Sequence, residues 1–152
     1  MLKYVNHDIV FQEFPDEVTL ALNLSLCPNG CPGCHSSYLK EDCGDELTPG
    51  RLEALMAAYR GEITCVGFMG GDGDPAEVAR LARLVLAAGL KAGWYSGRQE
   101  PPADFDPGAF SYVKLGPWRQ ELGPLGSPGT NQRLYRVKKD GSLTDITARF
   151  RR

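Results

Sequence analysis

Apolar positions along the chain fall into two kinds of run. The continuous ones, "VTLALNLSL" (Val18 to Leu26) and "ITCVGFM" (Ile63 to Met69), have strand length and no helical period, which predicts buried strands. Periodic runs alternate with them. Leu52, Leu55, Met56 and Tyr59 recur at i, i+3, i+4 and i+7 behind Thr48 and Pro49, an N-cap and a first-turn proline, and predict an amphipathic helix ending near Gly61. Val78, Leu81, Ala82 and Val85 repeat the stripe after "GGDGDP", where Asp74 can cap, Pro75 can open and Glu77 can close a capping box. "LKAGWYSG" and "YVKLGP" predict two more strands, each running into a glycine turn. The tail "RLYRVKKDGSLTDITARF" alternates around Asp140-Gly141, a strong hairpin signal.

This order predicts an α/β fold built from βαβ units. A βαβ unit takes roughly thirty residues and a closed eight-stranded barrel about two hundred and fifty. The 152 residues therefore predict a single domain over 1–152, either a partial (β/α) barrel or an open, mainly parallel sheet, with a carboxyl-terminal antiparallel hairpin. No internal repeat is evident, and the Pro/Gly-rich stretch from Pro101 to Pro128 reads as a loop-laden part of that domain.

Charge narrows the range of partners. Seventeen Lys and Arg against nineteen Asp and Glu give a formal charge of -2 without long like-charge blocks, so no basic stripe points to nucleic acid or an anionic membrane. The amino-terminal "MLKYVNHDIVFQEF" lacks the apolar core of a secretory signal, and "LARLVLAAGLKAGWY" is broken by Arg83 and Lys91; a cytoplasmic, soluble protein is expected. Five cysteines, three of them crowded into eight positions, make a poor disulfide framework. In a reducing compartment they point to metal or redox chemistry.

Those three are Cys27, Cys31 and Cys34, spaced C-x3-C-x2-C just past the carboxyl end of the first predicted strand. Pro28 and Pro32 restrict the loop, while Gly30 and Gly33 let it wrap tightly enough for three thiolates to converge. A structural zinc site would need a fourth ligand. His35 could supply it only by reaching back from beside Cys34, and Cys43 or Cys65 only by coming from other elements. Three thiolates also suit an iron–sulfur cluster that keeps one iron open to a small molecule.

The spacing resembles that of the radical S-adenosylmethionine superfamily. Within it, the chain is similar to the small activating proteins of anaerobic ribonucleotide reductase, through "CPGCH" at 31 to 35, "WYSG" at 94 to 97, "KLGP" at 114 to 117 and "GSPGTNQR" at 126 to 133. The resemblance implies a 4Fe-4S cluster on Cys27, Cys31 and Cys34, with S-adenosylmethionine chelating the remaining iron. It also implies that Gly70, Gly71 and Asp72 receive the methionine end of that cofactor, Asp74 being a rival for the acid, and that Gly33 meets the adenine through its backbone. Ser96 and Gly97, at a strand's carboxyl end, are candidates for the ribose or carboxylate. The sequence departs from the family at Gly33, where an aromatic is usual, at Leu115, which replaces an acid, and in "GSPGTNQR", which is two residues longer.

The implied activity is reductive cleavage of S-adenosylmethionine and formation of a glycyl radical on the reductase's large subunit, with an electron donor such as flavodoxin or ferredoxin. Another glycyl-radical protein, a small metabolite, or a zinc-binding module without catalysis are the alternatives. For other residues the expectations are plainer. Trp94 and Tyr95 are expected in the core and Cys65 as a small buried hydrophobe, while His35, Asn131, Gln132 and Arg133 suit either a ligand or a structural role.

Overall fold

The computed structural model describes residues 2–11, 14, 17–24, 45–98, 105–116, 132–138 and 140–147. They form an α/β fold: one open, mixed sheet of eight strands with two helices. The strands are β1 (Lys3–Val10), β2 (Thr19–Leu24), β3 (Asp45–Glu46), β4 (Cys65–Met69), β5 (Lys91–Tyr95), β6 (Tyr112–Leu115), β7 (Arg133–Val137) and β8 (Leu143–Asp145). Their order is β3-β1-β2-β4-β5-β6-β7-β8. The centre, β2-β4-β5-β6, is parallel, and antiparallel strands extend it on both sides. Of the two expected forms the sheet takes the open one, and the tail hairpin closes through Gly141 at φ 85°.

The two helices, α1 (Pro49–Ala58) and α2 (Pro75–Ala87), bury the stripes their sequences set out: Leu52, Leu55 and Met56 in the first, Val78, Leu81, Ala82 and Val85 in the second. Thr48 caps α1 by accepting from the Arg51 amide at 3.1 Å. The capping box expected at α2 does not form. Asp74 stands at the N-cap without a side-chain cap, and Glu77 turns along the helix to accept from Arg80 Nε at 3.1 Å. An ion pair one turn away competes for the carboxylate that a box would need.

Strand alternation divides the core. Leu20, Leu22, Leu24, Val66, Phe68, Ala92, Trp94, Val113 and Leu115 belong to the cluster shared with both helices. The opposite face carries a second cluster of Phe14, Cys65, Tyr112 and Leu134. Here the register pairs Gly67 with Gly93, and both lie under the Phe14 ring. Phe14 is flanked by Tyr95, edge-on at a centroid distance of 5.1 Å, and by Tyr112 at 5.4 Å.

At the amino edge of the parallel strands, Glu17 has a side chain only 4% exposed. Its Oε2 accepts from Lys91 Nζ at 2.9 Å and from the Tyr112 hydroxyl at 3.1 Å. A buried carboxylate needs such partners, since each unpaired charge taken from water is costly. Among the described residues no helix is long and apolar enough to cross a membrane.

Candidate functional site

Because β2, β4, β5 and β6 run parallel, their carboxyl ends share one edge, where ligands of α/β sheets gather. Strand β2 delivers the chain to that edge at Leu24, three residues before Cys27. Beside it β4 ends in the Gly70–Gly71 turn, with φ of 106° and 88°. These are left-handed conformations that only glycine adopts without strain. The turn is pressed against β2: a Cβ on Gly71 would lie 2.6 Å from Val78 and 2.9 Å from the Leu24 side chain, and one on Gly70 3.4 Å from the Leu24 carbonyl oxygen. The glycine turn is therefore a neighbour of Leu24, the last residue of β2.

Strand β5 holds the turn through two bonds. The Gly70 amide donates to Tyr95 O at 2.9 Å, and Trp94 Nε1 donates to Gly70 O at 2.7 Å. Trp94 is thus the core residue expected, stacked on Phe110, while its indole N–H also fixes the turn.

Asp72 follows the turn inward and is 1% exposed. Ser96 Oγ donates to its Oδ1 at 2.5 Å and the Gly97 amide to its Oδ2 at 2.8 Å. Arg98 adds two contacts: its amide donates to Ser96 Oγ at 3.1 Å and its Nη2 to the Asp72 main-chain oxygen at 3.1 Å. Lys114, 7% exposed, extends the network by donating to Ser96 O at 3.2 Å and Gly116 O at 3.1 Å. Its ammonium also lies 5.2 Å from the centre of the Tyr95 ring, within cation–π range. The Gly116 amide donates to Arg98 O at 2.6 Å, and Gln132 Nε2 reaches Gly116 O at 3.5 Å.

No family model, curated protein or solved structure matches the chain.

Among the predicted residues, Gly70, Gly71, Asp72, Ser96 and Gly97 are brought together, and Gln132 joins them through Gly116. Asp74 instead opens α2, and Arg133 begins β7 opposite Leu115. Cys27, Cys31, Gly33, Cys34, His35, Cys43 and Asn131 lie outside the described residues. Among the described residues, no group of three His, Cys, Asp or Glu side chains stands together as a metal site.

Sequence reasoning placed Lys114 inside "KLGP" without giving it a role, and it missed Arg98, which nothing local marks. Both acquire their roles from partners on other strands.

Cys65 is fully buried on the face opposite the helices. Burial, the main cause, pushes its thiol from 9.0 up to about 12, against the smaller opposing effects of the Thr19 hydroxyl and Lys91. The raised value favours folding below pH 9.0 and this contribution fades as pH climbs toward about 12. At pH near 8 the thiolate is essentially absent. Iodoacetamide is expected to leave Cys65 unmodified in native protein and to alkylate it once guanidinium unfolds the chain, as read by peptide mass spectrometry. Rapid native alkylation would contradict the burial.

Proposed function

We propose that the protein is a radical S-adenosylmethionine enzyme that generates a glycyl radical on anaerobic ribonucleoside-triphosphate reductase. The observation that carries the reading is convergence. Segments far apart in sequence, "GGD" at 70–72, "WYSG" at 94–97, "KLG" at 114–116 and Gln132, join in one hydrogen-bonded network at the sheet edge where the cysteine loop starts. These are the motifs that carry the family resemblance; parallel pairing of β4, β5 and β6 brings three of them to one edge, and side-chain hydrogen bonds from Asp72, Ser96, Lys114 and Gln132 then tie them together.

The residues suit the two groups the reading needs. Cys27, Cys31 and Cys34 offer three thiolates, a donor set that leaves one iron of a 4Fe-4S cluster open. Gly70 and Gly97, both half-buried, put main chain at the edge where ligands of α/β sheets gather, while Gly71 and the fully buried Ser96 support that edge from within. When bound, the cluster supplies the electron that cleaves S-adenosylmethionine into methionine and a 5′-deoxyadenosyl radical able to take a hydrogen from a glycine. The chain's own part is to hold the cluster, orient the cofactor and admit the partner. The sheet does not close into a barrel among the described residues, and a glycine-bearing loop of the large subunit would complete the exclusion of water at its edge.

Anaerobically reconstituted protein is expected to be brown, to contain about four irons, and to release methionine and 5′-deoxyadenosine on reduction. A colourless zinc protein, or a loaded cluster with no cleavage, would overturn the enzyme assignment. The target is checked by electron paramagnetic resonance of the host's reductase mixed with the protein. A reductase that acquires its glycyl radical equally well without it would sink that part, leaving another glycyl-radical protein or a metabolite as substrate.

A further inference from the structure

The resemblance assigns the acid after the two glycines to the methionine end of the cofactor. The geometry gives that acid a different role, and we propose that Asp72 is a positioning residue whose carboxylate braces the Ser96–Gly97 turn, so that β5 presents its carboxyl end to the cofactor in one fixed conformation. The inference rests on the proposed function for what the turn binds, though not for the brace itself.

Three observations carry it. Asp72 is 1% exposed, so its carboxylate belongs to the interior more than to the ligand-facing surface. Each of its oxygens accepts a short hydrogen bond from the turn, Oδ1 from Ser96 Oγ at 2.5 Å and Oδ2 from the Gly97 amide at 2.8 Å. The turn is then tied from outside as well. The Arg98 amide meets Ser96 Oγ at 3.1 Å, Arg98 Nη2 meets the Asp72 carbonyl at 3.1 Å, and Lys114 Nζ donates to Ser96 O at 3.2 Å. A carboxylate seated among such donors is an orienting group, and hydrogen bonds to a buried charge are the strong kind.

Brace and direct contact predict different chemistry at position 72. An asparagine there can still accept from the Gly97 amide through Oδ1 and donate to Ser96 Oγ through Nδ2, so the brace survives without its charge. A carboxylate that pairs directly with the cofactor's ammonium would be disabled by the same change. Asp72→Asn is therefore the conservative variant and Asp72→Ala the disruptive one.

The test has two readouts. The first is amide hydrogen exchange at Gly97 and Arg98 in protein without S-adenosylmethionine. The second is KM for S-adenosylmethionine against kcat in the cleavage assay, at matched iron content. Expected for Asp72→Ala are exchange and KM both raised about tenfold or more, with kcat little changed. Asp72→Asn should stay within about threefold of the parent in both. Equal loss of affinity in the two variants with Gly97 exchange unchanged would overturn the proposal in favour of direct contact. Faster exchange in Asp72→Ala with KM unmoved would reduce Asp72 to a purely structural residue and overturn it equally. If Asp72→Ala does not fold, Ser96→Ala removes one donor from the carboxylate and should raise exchange and KM in the same direction; no change in either counts against the brace. If the parent cleaves no S-adenosylmethionine, the enzyme reading falls, while the exchange comparison still decides whether Asp72 holds the turn.

Discussion

Replacing Gly93 by alanine is expected to destabilise the protein by about 3 kcal/mol or more, near the upper end of the usual cost of overpacking. A Cβ on Gly93 would sit 2.3, 2.6 and 2.7 Å from three atoms of the Phe14 ring. The ring cannot retreat, being fully buried between Tyr95 and Tyr112. Intrinsic preference acts the other way, because alanine is favoured over glycine inside a strand by roughly 0.5–1 kcal/mol. The sign of the measured change therefore separates the two effects. At Gly67, its register partner, the added carbon would meet Met69 Cε at 2.8 Å and Phe14 at 2.9 Å. The methionine end can swing away and the ring cannot, but the one remaining ring contact, at 2.9 Å, is longer than the three at Gly93, so a smaller loss of about 1–2 kcal/mol is expected there. Urea unfolding of Gly93→Ala, Phe14→Leu and the double variant checks the cause. Phe14→Leu alone should cost stability, yet in the Gly93→Ala background it should recover at least about 1 kcal/mol. A neutral Gly93→Ala would show that Phe14 does not occupy the sheet's glycine floor.

The second large effect concerns the cysteine loop. Cys31→Ala is expected to lower bound iron after reconstitution at least about a hundredfold in affinity and to bring S-adenosylmethionine cleavage to background. Loss of even an outer-sphere partner commonly costs 10–100-fold, and a thiolate ligand contributes more directly. Cys65→Ala serves as the control. Its thiol is buried in an apolar strand and held protonated, so its removal should leave iron content and cleavage intact while costing some stability through the vacated volume. Iron analysis and the visible absorption of the two variants, side by side, make the comparison. If Cys31→Ala retains its iron, or Cys65→Ala loses as much, the cluster does not reside on the C-x3-C-x2-C loop.

Elements stabilised by their own residues are legible in the chain. Thr48 and Pro49 start α1 and the Val78–Val85 stripe faces the core of α2, because capping and 3.6-residue periodicity are local. The hairpin around Gly141 is equally local. Strand β1 escapes such reading. Its Asn6 and His7 look like loop residues, yet Asn6 accepts from Asn23 Nδ2 at 2.5 Å and His7 Nε2 lies 3.2 Å from the Tyr59 hydroxyl. These partners come from β2 and from the end of α1, at separations no window covers. The same holds at the site. Gly70, Gly71, Asp72, Ser96 and Gly97 are recognisable as turn residues at strand ends, whereas Lys114 and Arg98 gain meaning only when β5 and β6 lie side by side.

The Glu17 carboxylate bonds to Lys91 and Tyr112 across 74 and 95 residues of sequence. Such closure is slow to find, since the entropy of long loops must be overcome before the contact contributes. During synthesis, a ribosome must have released residue 112 before this buried acid can acquire both partners. Lys91 brings the neutralising charge first, and the Tyr112 hydroxyl completes the set. This corner of the sheet is therefore completed only after most of the polypeptide has been made.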